Sequence, residues 1–382
     1  MTVLFILFLG TATLLWLCLF GYALVLILLF ALRRHEPERS VSTWPEIAIV
    51  IPTLNEEDLI VSKLSDLRQG DYPRDRITVV VVDGGSTDET TALVRQEITR
   101  GEPIQLICMN GARGRTDQII HALSLLTQDV VVVTDADSVL EPSCIRELVS
   151  VLERDPQTAM VGATVRPDSA LKEERIHWQV LNFVWWLEGE VLSSAGVSGV
   201  CYACRREVVL TNTRDVSTGD IRLPFATSAG GYRTRICRTA HATEIRVPRS
   251  VQEFVRFRRR RGASYVYELL RLPKNGHSPL GWRVARFMRL LHFLVAPKVG
   301  VVLVILAFVL LGTQYWPWPL LTFAAFAGSA LSVLFASTTL AGDGHRWWRL
   351  IPIAIRWLGL TAASMLTLDS YPSAGGAIGG KT

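Results

Sequence analysis

Two aspartates one residue apart, Asp135 and Asp137, follow directly on the run Val130-Val131-Val132-Val133-Thr134. Paired hard oxygen donors in a loop suit Mg2+ or Mn2+ and, through the ion, a diphosphate. The same acids in a solvated turn would only cap the next helix, and this spacing alone leaves both readings open. Two further apolar runs end in comparable groups. Ile47–Ile51 leads into Pro52-Thr53-Leu54-Asn55-Glu56, and Ile77–Val82 leads into Asp83-Gly84-Gly85-Ser86-Thr87-Asp88. A basic loop, Gly111-Ala112-Arg113-Gly114-Arg115, lies between the second acidic turn and the paired aspartates.

The elements that must position these groups follow from the apolar pattern. Runs of β-branched residues without polar alternation are strands covered on both faces, as in a parallel sheet packed between helices. Helices are expected at about Asp58–Gln69, Thr116–Leu126 and Pro142–Arg154, with a further strand at Ile104–Met109. Ser86 and Glu89 have capping-box spacing, which predicts a helix from Ser86 to about Arg100. Strands alternating with helices at these intervals make βαβ units. Ligands of such sheets bind outside the carboxyl ends of the strands, where all the acidic loops should converge. No Gly-x-Gly-x-x-Gly follows any of the strands, which argues against a dinucleotide-binding Rossmann site.

Hydrophobic residues make up 49% of the 382, and the excess lies at the two ends of the chain. Thr2–Leu32 carries no charge, long enough to span a ~30 Å hydrocarbon core. It reads as an anchor and not a cleaved signal. Arg33 and Arg34 follow at once and place that end in the cytoplasm by the positive-inside rule. Three more spans are expected at about Leu290–Gly312, Pro319–Leu340 and Leu350–Leu368, with Arg356 a costly charge in the last. Tyr315, Trp316 and Trp318 suit an outer aromatic belt, and Arg346 and Arg349 an inner loop. The net charge of +5 reflects arginines at 256–261 and at 283, 286 and 289, next to the returning spans. A membrane-facing basic surface accounts for them better than nucleic acid does. The six cysteines suggest no disulfide framework.

The ordered series Pro52-Thr53-Leu54-Asn55-Glu56, Asp83-Gly84-Gly85-Ser86-Thr87-Asp88, Gly114-Arg115 and Asp135-Ala136-Asp137 resembles the family 2 glycosyltransferases. Ser198–Glu207 is similar to that family's acceptor-side strand, Thr218-Gly219-Asp220 to its Thr-Glu-Asp motif, and Gly231-Tyr232-Arg233 to its Gly-Tyr-Arg. The resemblance covers residues 45–262 and implies an α/β GT-A domain with a mainly parallel central sheet, flanked by transmembrane helices, one N-terminal and about three C-terminal. It implies an interfacial segment at 263–289 and membrane helices at 290–368. It also implies a nucleotide-sugar donor, a UDP-sugar above all, bound by Pro52, Thr53, Asn55, Glu56, Asp83, Gly114, Arg115 and Asp135. Glu56 and Asp83 would accept hydrogen bonds from the base and ribose, although Asp83 could instead only cap the next helix. Arg113 or Arg115 would meet the diphosphate. Asp135 and Asp137 would hold Mg2+ or Mn2+, and Asp220 would be the general base of an inverting transfer.

Departures bear on the acceptor. In Val255-Arg256-Phe257-Arg258-Arg259-Arg260-Arg261-Gly262, where processive members carry Gln-x-x-Arg-Trp, Val255 replaces Gln and Arg259 replaces Trp, while Arg258 keeps the Arg. The expectation is therefore transfer of one sugar to a membrane lipid at the cytoplasmic face. A processive synthase extending a glycan is the alternative. Arg205, Arg258 and Arg259 are the candidate acceptor- or phosphate-side residues, against a plain cationic surface. Membrane lipids are the remaining expected partners. Cys201-x-x-Cys204 with Cys237 and His241 imitates zinc spacing, but residues three apart on a strand face opposite ways. The aromatic run His177-Trp178 and Phe183–Trp186 is read as helix packing.

Overall fold

The computed structural model describes residues 1–33, 43–111, 114–194, 196–213, 222–271, 278–340 and 350–366. The uncharged N-terminal run forms α1 (Thr2–Trp16), a π-helical turn (Leu17–Gly21) and α2 (Tyr22–Leu32), end to end. The alternating region follows as β1 (Ile47–Thr53), α3 (Ile60–Leu67), β2 (Ile77–Asp83), α4 (Thr90–Thr99), β3 (Ile104–Cys108), α5 (Arg115–Leu125) and β4 (Val130–Thr134). Then come β5 (Ser138–Leu140), α6 (Cys144–Arg154), β6 (Thr158–Pro167), α7 (Lys172–Val191), β7 (Cys201–Arg205), α8 (Arg206–Thr213), α9 (Arg222–Ala229) and β8 (Arg233–Glu244). The chain closes with α10 (Val251–Arg271), α11 (Leu280–Leu290), a second π turn (Leu291–Val295), α12 (Ala296–Leu311), α13 (Pro317–Leu340) and α14 (Ile351–Leu366).

One eight-stranded sheet runs in the order β3-β2-β1-β4-β7-β6-β8-β5. Its first four strands are mutually parallel, β7 is antiparallel to both its neighbours, and β8 returns parallel to β6. Every residue of β1 and β4 is buried, which is why those segments read as unbroken apolar runs. Pro52 is tolerated in the sheet interior because β1 pairs with β4 only as far as Val50↔Val133. The register Thr53↔Asp83 brings two of the acidic or polar loops side by side at one edge.

The helix expected from Ser86 begins instead at Thr90. Ser86 Oγ accepts from the Asn55 amide (2.9 Å), so it does not close a capping box. Asp88 does the capping, accepting from the Thr90 amide (3.1 Å) and hydroxyl (2.6 Å). Burial alone would raise the Asp88 pKa, but those bonds and the one from the Glu57 amide outweigh it and hold the carboxyl below its ordinary range.

Three helical stretches among the described residues are long and apolar enough to cross a membrane: Thr2–Leu32, Leu280–Leu311 and Pro317–Thr338. Their outward residues are apolar, with Val304, Phe308 and Phe323 at least two-thirds exposed. The first C-terminal stretch starts ten residues before the expected Leu290, so Arg283, Arg286 and Arg289 lie on the helix itself. The expected fourth span, 350–368, is described only as far as α14 (Ile351–Leu366), 16 apolar residues that pack on α7, α10 and α12. There Arg356 pairs with Glu173 (3.1 Å) and Trp357 Nε1 donates to His177 Nδ1 (3.3 Å). The charge expected to be costly in a span is thus paired with a glutamate of α7. The charged loop at 341–349 lies outside the described residues.

Helix α7 joins the two halves. Glu173 meets Arg356 of α14, Glu174 meets Arg258 of α10, Glu188 meets Arg289 of α11, and Glu190 meets Arg33 at the end of α2. Glu190 also holds Arg235 of β8. Trp178, Phe183, Trp185 and Trp186 on the same helix are buried in the main core, so this aromatic run is packing.

Candidate active site

The site is built on two loops that brace each other. Asn55 adopts φ +56°, a left-handed conformation that Asn tolerates, and its side-chain oxygen accepts from the Thr87 amide (2.9 Å). The Glu56 amide donates to Thr90 Oγ1 (2.8 Å), the Glu57 amide to Asp88 Oδ2 (3.1 Å), and the Glu89 amide back to Glu57 Oε2 (3.0 Å). Glu56 and Asp83 are thereby fixed at adjacent strand ends, both buried. Asp83 accepts from the amides of Gly85 and Ser86 (both 3.0 Å) and so caps its own loop and not the next helix, which begins at Thr90. Gly85 makes that turn possible with φ +97°. A carboxylate has about four acceptor positions, so capping does not preclude a ligand donor. Thr53 is directed inward, its hydroxyl donating to the Val82 carbonyl (3.1 Å).

The paired aspartates sit just past β4 at the same edge. Asp135 is fixed by its amide, which donates to Val200 O (3.1 Å), and Asp137 by its carbonyl, which accepts from Ile245 N (3.0 Å). Arg115, in the first turn of α5 behind the exposed cap residue Gly114, donates from Nε to Asp135 Oδ1 (2.6 Å) and from Nη2 to Gly199 O (2.5 Å). Across the site Arg246 contacts Glu56 Oε2 (2.6 Å) and reaches Asp137 Oδ2 (4.0 Å). Glu244 lies beside them, paired with Arg261 (3.0 Å). Burial pushes the Glu244 carboxyl up, and the negative charge of Asp137 adds to this.

Asp135 and Asp137 have the chemistry to hold a divalent ion. Their hard oxygens are partly open to solvent, and each already faces a guanidinium, so the pocket's electrostatic demand for positive charge is visible. No three His, Cys, Asp or Glu groups form a complete ligand set among the described residues. Two protein carboxylates completed by phosphate and water oxygens are the usual pattern for Mg2+.

Of the residues expected at the site, the fold brings together Pro52, Thr53, Asn55, Glu56, Asp83, Gly114, Arg115, Asp135 and Asp137. Asp220, with Thr218 and Gly219, lies outside the described residues, as does Arg113. Arg205 is not brought there: it pairs with Val130 at the opposite end of β4, about 16 Å of chain from Asp135, and holds Glu153, Leu152 O and Thr158 O. The Arg258 side chain is buried and paired with Glu174 of α7. Arg259 lies next to it, half-buried on α10. Arg246 and Glu244 carry no sequence motif, and it is the β5–β8 pairing, Ser138 opposite Glu244, that brings the end of β8 to the aspartates.

Two family models match. One described as glycosyl transferase family 2 spans residues 48–208, and one described as glycosyl transferase family group 2 spans residues 130–364. The structure of the mannosyltransferase PcManGT from Pyrobaculum calidifontis, in complex with GDP-Man and Mn2+, superposes with a TM-score of 0.65 at 21% identity, over 94% of this chain and 98% of that one. The likeness extends the GT-A fold to the chain. The probable glycosyltransferase YdaM of Bacillus subtilis (strain 168) is 26% identical over 188 residues, 45% of each chain. A β-monoglucosyldiacylglycerol synthase of Synechocystis is 30% identical over 115 residues, 29% of this chain and 24% of the relative. The chain thus spans less than half the length of these two relatives.

Proposed function

The chain belongs to the family 2 glycosyltransferases, and on that premise we propose that it moves one sugar from a nucleotide-sugar donor to a membrane lipid at the cytoplasmic face, with inversion. The observation that carries the reading is the meeting of Glu56, Asp83, Asp135 and Asp137 with two arginines at one sheet edge. Asp83 and Glu56 receive the N–H and hydroxyl donors of the nucleoside, a UDP-sugar being the first candidate. Arg115, anchored by Asp135 and Gly199 O, directs its charge to the diphosphate. Asp135 and Asp137 are the residues to hold Mg2+ or Mn2+, which when bound neutralises charge developing on the leaving phosphate. Asp220 takes the proton of the acceptor hydroxyl as it attacks the anomeric carbon.

A lipid acceptor is favoured by α7, whose carboxylates pair with Arg33 at the end of one membrane-length stretch and with Arg289 within another, and so tie the catalytic domain to them. The relative whose name is that of a glycolipid synthase points the same way. Arg33 at the inner end of α2 supports a cytoplasmic catalytic domain. The test is to supply membranes containing the protein with a panel of UDP- and GDP-sugars and to measure product mass. One sugar on a lipid, stopped by EDTA and lost in Asp137→Ala, is expected, and a polymer ladder would favour the processive reading instead. Asp220→Asn should bind donor normally but transfer little, and normal transfer by that variant would remove Asp220 as the base.

A further inference from the structure

Arg246 lies two residues beyond β8, and its contacts are unequal. The guanidinium is 2.6 Å from Glu56 Oε2 and 4.0 Å from Asp137 Oδ2, the outer limit of an ion pair. Glu56 is buried (5% exposed), so its charge needs this partner. Asp137 is more open, so its contact with Arg246 can be given up at small cost. The bond from the Ile245 amide to the Asp137 carbonyl keeps the two residues adjacent whatever binds between them.

We propose that Arg246 is an exchangeable counter-ion for Asp137: a positioning residue that competes with the divalent cation for this carboxylate and turns onto the donor diphosphate once the cation holds Asp137. The proposal rests on the metal and donor reading above. A guanidinium carries five N–H donors in a fixed fork, so one that stays on Glu56 through a terminal nitrogen retains donors for phosphate oxygens. Its charge opposes a second cation arriving alone and favours the same cation arriving with a diphosphate. Arg246 would thus couple metal binding to donor binding, and a donor-free metal would be held weakly.

The coupling predicts opposed effects that a merely structural arginine would not produce. In Arg246→Gln, binding of Mn2+ alone, read from the electron paramagnetic resonance of free Mn2+, should tighten on the order of tenfold, as expected for one charge at this range in a partly solvated site. Binding of UDP or GDP in saturating Mn2+, read by calorimetry on the full chain in detergent, should weaken by a similar factor. Arg246→Lys keeps the charge and should fall between. The double variant Glu56→Gln with Arg246→Gln leaves no unpaired buried carboxylate, so it should fold and still show the tighter Mn2+ binding. Shifts of the same sign, or none, in a wild type that binds both probes would overturn the proposal alone. A wild type that binds neither Mn2+ nor either nucleotide would overturn the donor reading and this proposal with it.

Discussion

Arg258→Met tests whether the arginine run of α10 faces an acceptor or holds the fold. The substitution keeps a long apolar stem and removes the guanidinium from Glu174, whose side chain is wholly buried (0% exposed). Burial lowers the Arg258 pKa, although the pairing with Glu174 opposes the shift. Losing one partner of such a pair costs about 3–5 kcal/mol, because the remaining charge is left without compensation. That corresponds to a factor of roughly 150 to 5,000 in the equilibrium between docked and undocked α10. Replacing both partners, Glu174→Leu with Arg258→Met, removes the stranded charge and should return most of the loss. Unfolding of a chain of this size with three membrane-length apolar helices is not expected to be two-state, so the measurement is hydrogen exchange across Val251–Arg271 in the detergent-solubilised full chain. If Arg258→Met left that protection intact while raising KM for the acceptor, Arg258 would be an acceptor ligand after all. A double variant as unprotected as the single one would equally refute the ion-pair account.

Other outcomes follow from the same packing. Burial, and then the charges of Arg258 and Arg261, hold the His177 pKa well below its ordinary value. A depressed histidine contributes stability that is present above about pH 6.5 and is lost as pH falls toward its folded pKa. Since the indole N–H of Trp357 can only donate, His177 Nδ1 must be an unprotonated acceptor. Protection of α14 against exchange should therefore decline from pH 7 to pH 5, and His177→Gln should flatten that slope. A Cβ at Gly162 on β6 would lie 2.0 Å from Val197 Cγ1 and 3.1 Å from Ile236 Cδ1. Gly162→Ala should cost about 1–3 kcal/mol, seen as a lower thermal aggregation midpoint, and Val197→Ala in the same chain should restore much of it.

The parallel half of the sheet was legible residue by residue, because strands buried on both faces leave an unbroken record of β-branched residues. The same holds for the acidic loops after β1, β2 and β4, which the strand periodicity alone places at one edge. Local capping was less legible. Ser86 and Glu89 have the right spacing for a box, but Ser86 is engaged by the Asn55 amide from another loop, a contact no local pattern records. The arginines were the hardest to read. Arg205, Arg246, Arg258 and Arg356 look alike along the chain, yet one anchors the far end of the sheet, one faces the aspartates, and two are buried or docked against glutamates of α7.

The sequence by itself determined that the acidic loops after β1, β2 and β4 meet at one edge, since this follows from periodicity and from where parallel strands end. Only the tertiary structure decided which cations attend them and which helices the last apolar segment packs against. Those outcomes depend on pairings between residues up to 190 positions apart, such as Glu56 with Arg246, whose energies are set by burial and distance and leave no trace in local composition.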